Sequence, residues 1–483
     1  MHRTARELRE KYRLENRYAN FGPVIRKIRI DGFRGIHGLE MEPLFPVLAL
    51  SGLNGSGKST VGQLMSCAYK VPTTAVNEKR YYVKDFFPSS VLDPAPFTPE
   101  ARVVFSYQTT NPSAPQEVTI YRANTEWSGY KRQPERLCYY VGFTLYLPKN
   151  ERRDLSIYRA TRLELRAESP VSEEVSSWIT QILNQPYERI HFQRVGHGVR
   201  ESELGVARRF GSSYSENHMG FGEGRVLYMV SLMERAPEQS LFILEEPETS
   251  LHEEAQFRLA RYFLEVANRR HHQIILTTHS NAMLEALPPE GRSLIYRAAD
   301  GVTAYAGITS TRARAILSGG FQRALTVAVE DEFAQYVLEA LIRKIDIPLL
   351  QAIKIIALGP ADAVKNGVTL MRKVGHKAIG VRDADMPANH GAGLYVLPGT
   401  LPPEKEVFAC PAVQEMIQRD FGVNVSAYLT TNPIDDHHDI PKALAAAAET
   451  NETNLACCAT REYVASLPLT AYEPLISAIR ANA

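Results

Sequence analysis

The chain is poor in the features that mark several protein classes at once. It has only five cysteines in 483 residues, Cys67, Cys138, Cys410, Cys457 and Cys458, and no CxxC pair. That excludes a zinc ribbon and a disulfide framework and suits a reducing cytoplasm. Tryptophan occurs twice. No apolar run approaches the ~18 residues of a membrane-spanning helix, so no membrane partner is expected. The N-terminus carries Arg3, Arg6, Arg9, Lys11 and Arg13 and lacks the apolar stretch of a secretory leader. Charge of one sign is also missing. With 55 Lys+Arg and 54 Asp+Glu the net charge is +1, which argues against a basic nucleic-acid coat or an acidic tail.

The balance is uneven along the chain. Residues 322–483 hold 14 Lys+Arg against 19 Asp+Glu, a net of −5, and residues 1–321 a net of +6. Such asymmetry points to nucleic-acid contact in one part. With 44% apolar and 23% charged residues the chain reads as ordinary globular protein of two or three domains.

Pattern reading gives the organisation. Arg6, Arg9, Arg13 and Arg17 recur at helical spacing, so residues 1–21 are expected as one basic helix, a solvated face or a phosphate-contacting arm. Strands are expected at 24–30, 47–50, 102–107, 138–146, 241–245 and 274–278, with helices at 60–69, 225–235 and 251–269. Alternating strands and helices indicate an α/β domain with a largely parallel sheet over 22–318. It carries an insertion at about 75–215 in which Arg152, Arg159, Arg162 and Arg166 share a helix face. After a break near Ser318, residues 322–483 repeat the strand–helix alternation: strands at 325–329, 353–358 and 377–381, helices at 333–344 and 361–374. A helical, alanine-rich end follows at 441–482.

Two constellations carry chemistry. Gly52-Leu-Asn54-Gly55-Ser56-Gly57-Lys58-Ser59, followed by Thr60, fits a phosphate loop between a strand and a helix. Its glycines let backbone N–H groups curl round an anion, Lys58 reaches the β- and γ-phosphates of ATP, and Ser59 is placed to bind Mg2+. The apolar strand 241–244 ends in Glu245 and Glu246. One carboxylate suits Mg2+ and the other suits the attacking water. Thirty-three residues beyond Glu246, His279 follows another strand, where it can reach a γ-phosphate. In the second domain, Glu330 ends one strand and Asp383-Ala-Asp385 follows another. Together they can bind Mg2+ or Mn2+ and support phosphodiester chemistry. Glu332, Glu404 and the run Asp435-Asp436-His437-His438-Asp439 are further metal candidates, and Lys405 or Lys442 could stabilise transition-state charge.

The first set resembles the ABC-type ATPase heads of SMC and RecF-like proteins. Ile28-Arg-Ile-Asp-Gly-Phe33-Arg34-Gly-Ile is similar to the start of those heads, and Glu245–His252 to their Walker B and D-loop. His279 matches their switch histidine. Met219-Gly220-Phe221-Gly222-Glu223 stands where the signature belongs, with Gly220 in the usual place of serine. The resemblance makes Glu246 and His279 catalytic, Gly222 and Glu223 nucleotide-binding, Glu245 a metal ligand, and the protein a homodimer or higher even homo-oligomer closing on ATP. No sustained heptads follow Thr60, so a long coiled coil is not expected. The second set resembles a Toprim domain. Glu330 then matches its acid/base glutamate and Asp383 and Asp385 its metal pair, while Asp331 and Ala334 stand in place of the usual glycine and second acid. An ABC head followed by Toprim is the layout of the OLD (overcoming lysogenization defect) family. That resemblance implies a cytoplasmic, ATP- and Mg2+-dependent DNA endonuclease in antiphage defence, with an accessory protein or RNA from a defence operon among its partners. The competing reading is an ATPase sensor or scaffold whose Toprim-like domain is inactive and recruits or restrains a separate effector.

Overall fold

The computed structural model describes residues 2–75, 78–142, 145–146, 163–197, 199–298, 301–318 and 323–483. The chain divides into two compact units, Met1–Ser310 and Thr311–Ala483.

In the first unit a six-stranded sheet holds, in spatial order, Gly301–Ala306, Arg292–Ala298, Val47–Ser51, Gln273–Thr277, Leu241–Glu245 and Cys138–Val141. All neighbours are parallel except the first pair. The strands Val47–Ser51 and Gln273–Thr277 are buried throughout, as expected for strands covered on both faces. An antiparallel sheet of Leu39–Met41, Ile25–Phe33, Phe97–Tyr107, Gln116–Ala123 and Glu126–Ser128 lies against it. One core cluster joins Ile28 and Ile30 of that sheet, Val61 and Leu64 of the helix Lys58–Ser66, and Ile243 and Ile275 of the parallel sheet. That packing fixes the helix that starts at Lys58. A third, antiparallel sheet contains Ser212–Ser215, Arg200–Arg209, Arg189–His197 and Glu164–Pro170.

Two sequence readings need correction here. The basic N-terminal segment is two helices, His2–Tyr12 and Leu14–Phe21, with extended backbone at Arg13 between them. Leu8, Tyr12 and Phe21 are buried, Arg9 pairs with Glu290 at 3.0 Å, and the Arg17 guanidinium stacks over the Tyr12 ring. It is therefore anchored to the unit and its arginines are partly spent on it. Second, Arg166 belongs to the strand Glu164–Pro170, not to a helix; Arg152, Arg159 and Arg162 lie outside the described residues. The stretch 75–215, expected as an insertion, contributes to both the six-stranded sheet and the first antiparallel sheet. It supplies the edge strand Cys138–Val141, which pairs in parallel with Leu241–Leu244, and three strands of the first antiparallel sheet.

The second unit has a four-stranded, all-parallel sheet in the order Ile353–Ala357, Leu325–Val329, Ala378–Arg382, Leu394–Val396. Helices Glu332–Ile345 and Ala361–Lys373 provide the crossovers. Helices Ile440–Ala447, Glu452–Ser466 and Glu473–Asn482 close the chain, as the alanine-rich composition suggests. A buried carboxylate ties this unit together. Asp346 is fully buried; it accepts from Arg312, from the Leu349 N–H at 3.2 Å and from Arg480 Nε at 2.8 Å. It thus caps the helix Ile347–Ala352 and pins the C-terminal helix. Removing its charge takes a fully buried counter-ion from two guanidinium groups in a low-dielectric setting. Asp346→Ala is expected to cost about 3–5 kcal/mol of stability, read as a lower midpoint in urea unfolding.

Candidate nucleotide and carboxylate sites

The phosphate loop is shaped by glycines in backbone conformations that other residues adopt only under strain. Gly52, Gly55 and Gly57 have φ of 149°, 75° and 107°. A Cβ on Gly52 would stand 2.3 Å from the Ile295 carbonyl oxygen. Arg297 holds the loop from outside, donating to the carbonyls of Gly55 at 2.9 Å, Gly35 at 3.2 Å and Arg34 at 3.1 Å. Asn54, Gly55 and Ser59 are exposed, whereas Ser56, Lys58 and Thr60 are buried. The Ser56 hydroxyl has no hydrogen-bond partner. Lys58 Nζ donates to the carbonyls of Gly52 at 2.9 Å and Leu53 at 3.0 Å. Burial lowers its pKa, opposed by Glu246 and Glu248. An anion here would meet the first N–H groups of helix Lys58–Ser66, which no side chain caps.

The carboxylates stand at the C-terminal edge of the same sheet. The register pairs Glu245 with Thr277, and Thr278 N–H donates to the Leu50 carbonyl at 3.0 Å. The strand ends and the loop therefore lie in one layer. Glu245 Oε1 is buried without a hydrogen-bond partner, the kind of vacancy a cation would satisfy. Glu246 has φ of 41° and donates its N–H to the Thr277 carbonyl at 3.1 Å and to Thr277 Oγ1 at 3.2 Å. Strained backbone of this kind gathers at functional positions. His279 Nε2 lies 3.8 Å from Glu246 Oε1. Burial and the Lys58 charge lower the His279 pKa while Glu246 opposes them, so the ring favours its neutral form. Glu248, which the sequence left without a role, is buried; it accepts from the Thr278 hydroxyl and from the His279 N–H at 3.2 Å. Burial raises its pKa. It fixes the backbone of His279 and has no sequence signal beyond its place three residues after Glu245.

Gly222 and Glu223 open the helix Phe221–Arg235. A Cβ at Gly222 would lie 2.5 Å from the Ser250 carbonyl oxygen, so the signature-like loop packs backbone to backbone against the segment after Glu246. Glu223 Oε1 accepts from Tyr187 at 2.7 Å and Tyr214 at 2.6 Å. Gly220 is exposed, and a Cβ there would meet nothing within 4 Å. Gly222→Ala is expected to lose about 1–3 kcal/mol in chemical unfolding, and Gly220→Ser to stay within about 0.5 kcal/mol of the parent.

In the second unit the sheet brings Glu330 and Asp383 together from adjacent parallel strands. The Asp383 N–H donates to Glu330 Oε1 at 3.1 Å. Asp383 is only 5% exposed, and its Oδ1 has no hydrogen-bond partner. Burial, then Glu330, Asp331, Glu404 and Asp385, push its pKa up to about 8. Burial also raises Glu330. Buried Glu404 joins this group from the helix Pro403–Ala409, with its pKa raised to about 7 by burial and Asp331. Asp385 is exposed at the rim. Burial and like charge crowd these acids, and Asp383 Oδ1 lacks a hydrogen-bond partner, but among the described residues the side chains whose ligand atoms lie within 4.8 Å of one another are Glu404, His437 and His438, not Glu330, Asp383 and Asp385. Glu332 does not join them: it is exposed, while Asp331 turns inward, accepts from the Ala334 N–H at 2.7 Å and caps the helix Glu332–Ile345. Lys405 and Lys442 are exposed.

Because the fold favours protonated Asp383, its contribution is present at low pH and fades as pH rises from its ordinary 3.8 through about 8. In chelator-treated protein, Asp383→Asn is therefore expected to raise the melting temperature increasingly from pH 5 to pH 8, with no further gain at higher pH.

Comparison with known proteins adds the following. Residues 163–284 match the AAA ATPase domain family (AAA_15), a span that includes Glu245, Glu246 and His279 and begins after the phosphate loop. The chain thus carries an ATPase domain of this broad class. No curated protein matches it by sequence. Similar solved structures include the SMC head domain from Thermotoga maritima, at 15% identity and TM-score 0.34, covering 58% of this chain and 98% of that one. An SMC head bound to the C-winged helix domain of ScpA matches at 15% identity and TM-score 0.36, over 59% of this chain and 97% of that one. An Smc head with an extended coiled coil, bound to the C-terminal domain of ScpA derived from Pyrococcus furiosus, matches at 13% identity and TM-score 0.35, over 61% and 99%.

Proposed function

We propose that the chain is an ATP-dependent, divalent-metal-dependent DNA endonuclease of the OLD type. The carrying observation is the pairing of Glu330 with a buried, half-orphaned Asp383 at the edge of a parallel sheet, in a chain that also holds a phosphate loop.

In the ATPase part, Lys58 exchanges its carbonyl partners for the β- and γ-phosphate oxygens of ATP. Ser59 and Glu245 are the residues that would hold Mg2+. Glu246 takes or orients the proton of the attacking water, and His279, kept neutral, donates or accepts at the γ-phosphate oxygen beside it. Gly222 and Glu223 of a second copy would close the site, giving the homodimer this reading requires. In the nuclease part, Glu330, Asp383 and Asp385 would hold Mg2+ or Mn2+, which supplies Lewis-acid stabilisation of the phosphodiester and lowers the pKa of a bound water. Glu330 is placed to move a proton, since burial keeps it more basic than an exposed glutamate. DNA is the substrate this reading selects, and antiphage defence is the role it implies. The unfilled second-acid position at Ala334 favours the other reading, an ATPase sensor that recruits an effector.

Plasmid nicking separates the two. The purified chain with Mg2+ or Mn2+ is expected to nick DNA. Asp383→Ala should abolish nicking while ATP hydrolysis continues, and Glu246→Gln should abolish hydrolysis while ATP binding survives. ATP hydrolysis without nicking under every metal and nucleotide condition would leave the sensor reading.

A further inference from the structure

Beside the acidic group, and distinct from it in chemistry, stands a nitrogen-rich constellation. His437 and His438 begin a short 3-10 turn, His437–Asp439, ahead of the helix Ile440–Ala447. Adjacent residues in a chain commonly point apart. Here the two imidazole rings lie side by side, with centroids 4.0 Å apart and planes at 37°. Both face Glu404, 33 and 34 residues earlier respectively. His438 Nδ1 is 3.3 Å from Glu404 Oε1, and His437 Nε2 is 4.0 Å from Glu404 Oε2. One nitrogen from each ring and one Glu404 oxygen lie within 4.8 Å of one another.

Two features say that this is more than a hydrogen-bonded corner. Glu404 is 1% exposed, and its Oε2 has no hydrogen-bond partner although it is turned to the histidines. A buried carboxylate oxygen without a partner is costly, and a cation would satisfy it. The second feature is a carboxylate near the outer side of the His437 ring, which also fixes the turn through the His438 backbone. His437 Nδ1 lies 3.9 Å from Asp436 Oδ1, and Asp436 in turn accepts from the His438 N–H at 3.0 Å. Carboxylates behind imidazoles are the usual means of orienting metal-binding histidines. The size also fits. Donors each about 2.1 Å from one ion stand up to roughly 4.2 Å apart, so the two measured Glu404 distances already suit a shared ion and the widest needs only a side-chain rotation.

We propose that Glu404, His437 and His438 form a binding site for a divalent transition metal of the Zn2+ type, separate from the Mg2+ ligands Glu330, Asp383 and Asp385. Two imidazoles and one carboxylate select borderline metals over hard Mg2+, which prefers oxygen and retains its water. Three protein ligands are the number found where a metal keeps an open position. Asp331 Oδ2 is 3.1 Å from His438 Nδ1, and Asp331 follows Glu330, so the ion would sit next to the presumed DNA-cutting carboxylates without sharing their ligands. The assignment of this metal does not depend on nuclease activity.

Co2+ serves as the probe, because its visible d–d absorption reports the ligand field. The full chain is stripped with chelator and titrated with Co2+ and then with Zn2+. The expected result is a d–d band that saturates at one equivalent, is bleached by Zn2+ and survives a roughly hundredfold excess of Mg2+. His437→Ala and His438→Ala should each weaken binding by at least about tenfold. Both histidines are partly exposed, so folding should persist; circular dichroism without metal checks it. Asp383→Ala should keep the band, which separates failure of this proposal from failure of the nuclease reading. A band lost in Asp383→Ala but kept in both histidine variants would overturn the assignment. So would a thiolate charge-transfer band, which would place the ion on Cys457 and Cys458, or the absence of any saturable band.

Discussion

Parallel pairing is the constraint on which both units depend. A parallel strand covered on both faces leaves only its ends for polar chemistry, and all C-terminal ends emerge on one edge. In the first unit, Val47–Ser51, Leu241–Glu245 and Gln273–Thr277 run in one direction and in matched register. The phosphate loop, the carboxylates and His279 therefore need no further device to meet. The same constraint in the second unit delivers Glu330 and Asp383 to one edge from strands that are neighbours in space and 53 residues apart in sequence.

The two edges resolve their electrostatics differently. At the first, the carboxylates share space with Lys58 and with Arg225, which donates to the Glu245 carbonyl at 2.6 Å. Charge is already offset before any ligand arrives. At the second, burial first and then the facing of acid against acid push their protonation upward. Mutual repulsion in a half-buried group favours whatever cation can enter, and the histidines beside it extend the range of metals that could.

Much of this was legible in the sequence, because periodicity and motif spacing report local structure. The strands and helices of both alternating series fall within a few residues of expectation; the helix expected at 251–269, for example, is Glu253–Arg270. What escaped was long-range. The strand expected at 138–146 is Cys138–Val141, but its partner is about a hundred residues away, and nothing in four residues announces the pairing. Arg166 was placed on a helix because arginine spacing alone cannot tell a solvated helix face from an exposed strand. Glu404 stands among the metal candidates of the sequence, but that it is buried and that its side chain meets His438 are long-range facts with no local pattern. The clamp of Arg297 on the phosphate loop joins residues more than two hundred positions apart and carries no local pattern.

The contact between Gly222 and the Ser250 carbonyl has a mechanical consequence. With no side chain between them, the start of helix Phe221–Arg235 and the loop after Glu246 cannot slide independently. Thr249 and Leu251 are hydrogen-bonded back to Glu246 and Glu248, so that loop is itself a short, stiff strut. Backbone rests on backbone there, with no flexible side chain between the loop and the helix to take up a shift. Such a joint works as a rigid coupling, and the absence of a side chain at one glycine is what removes the slack from it.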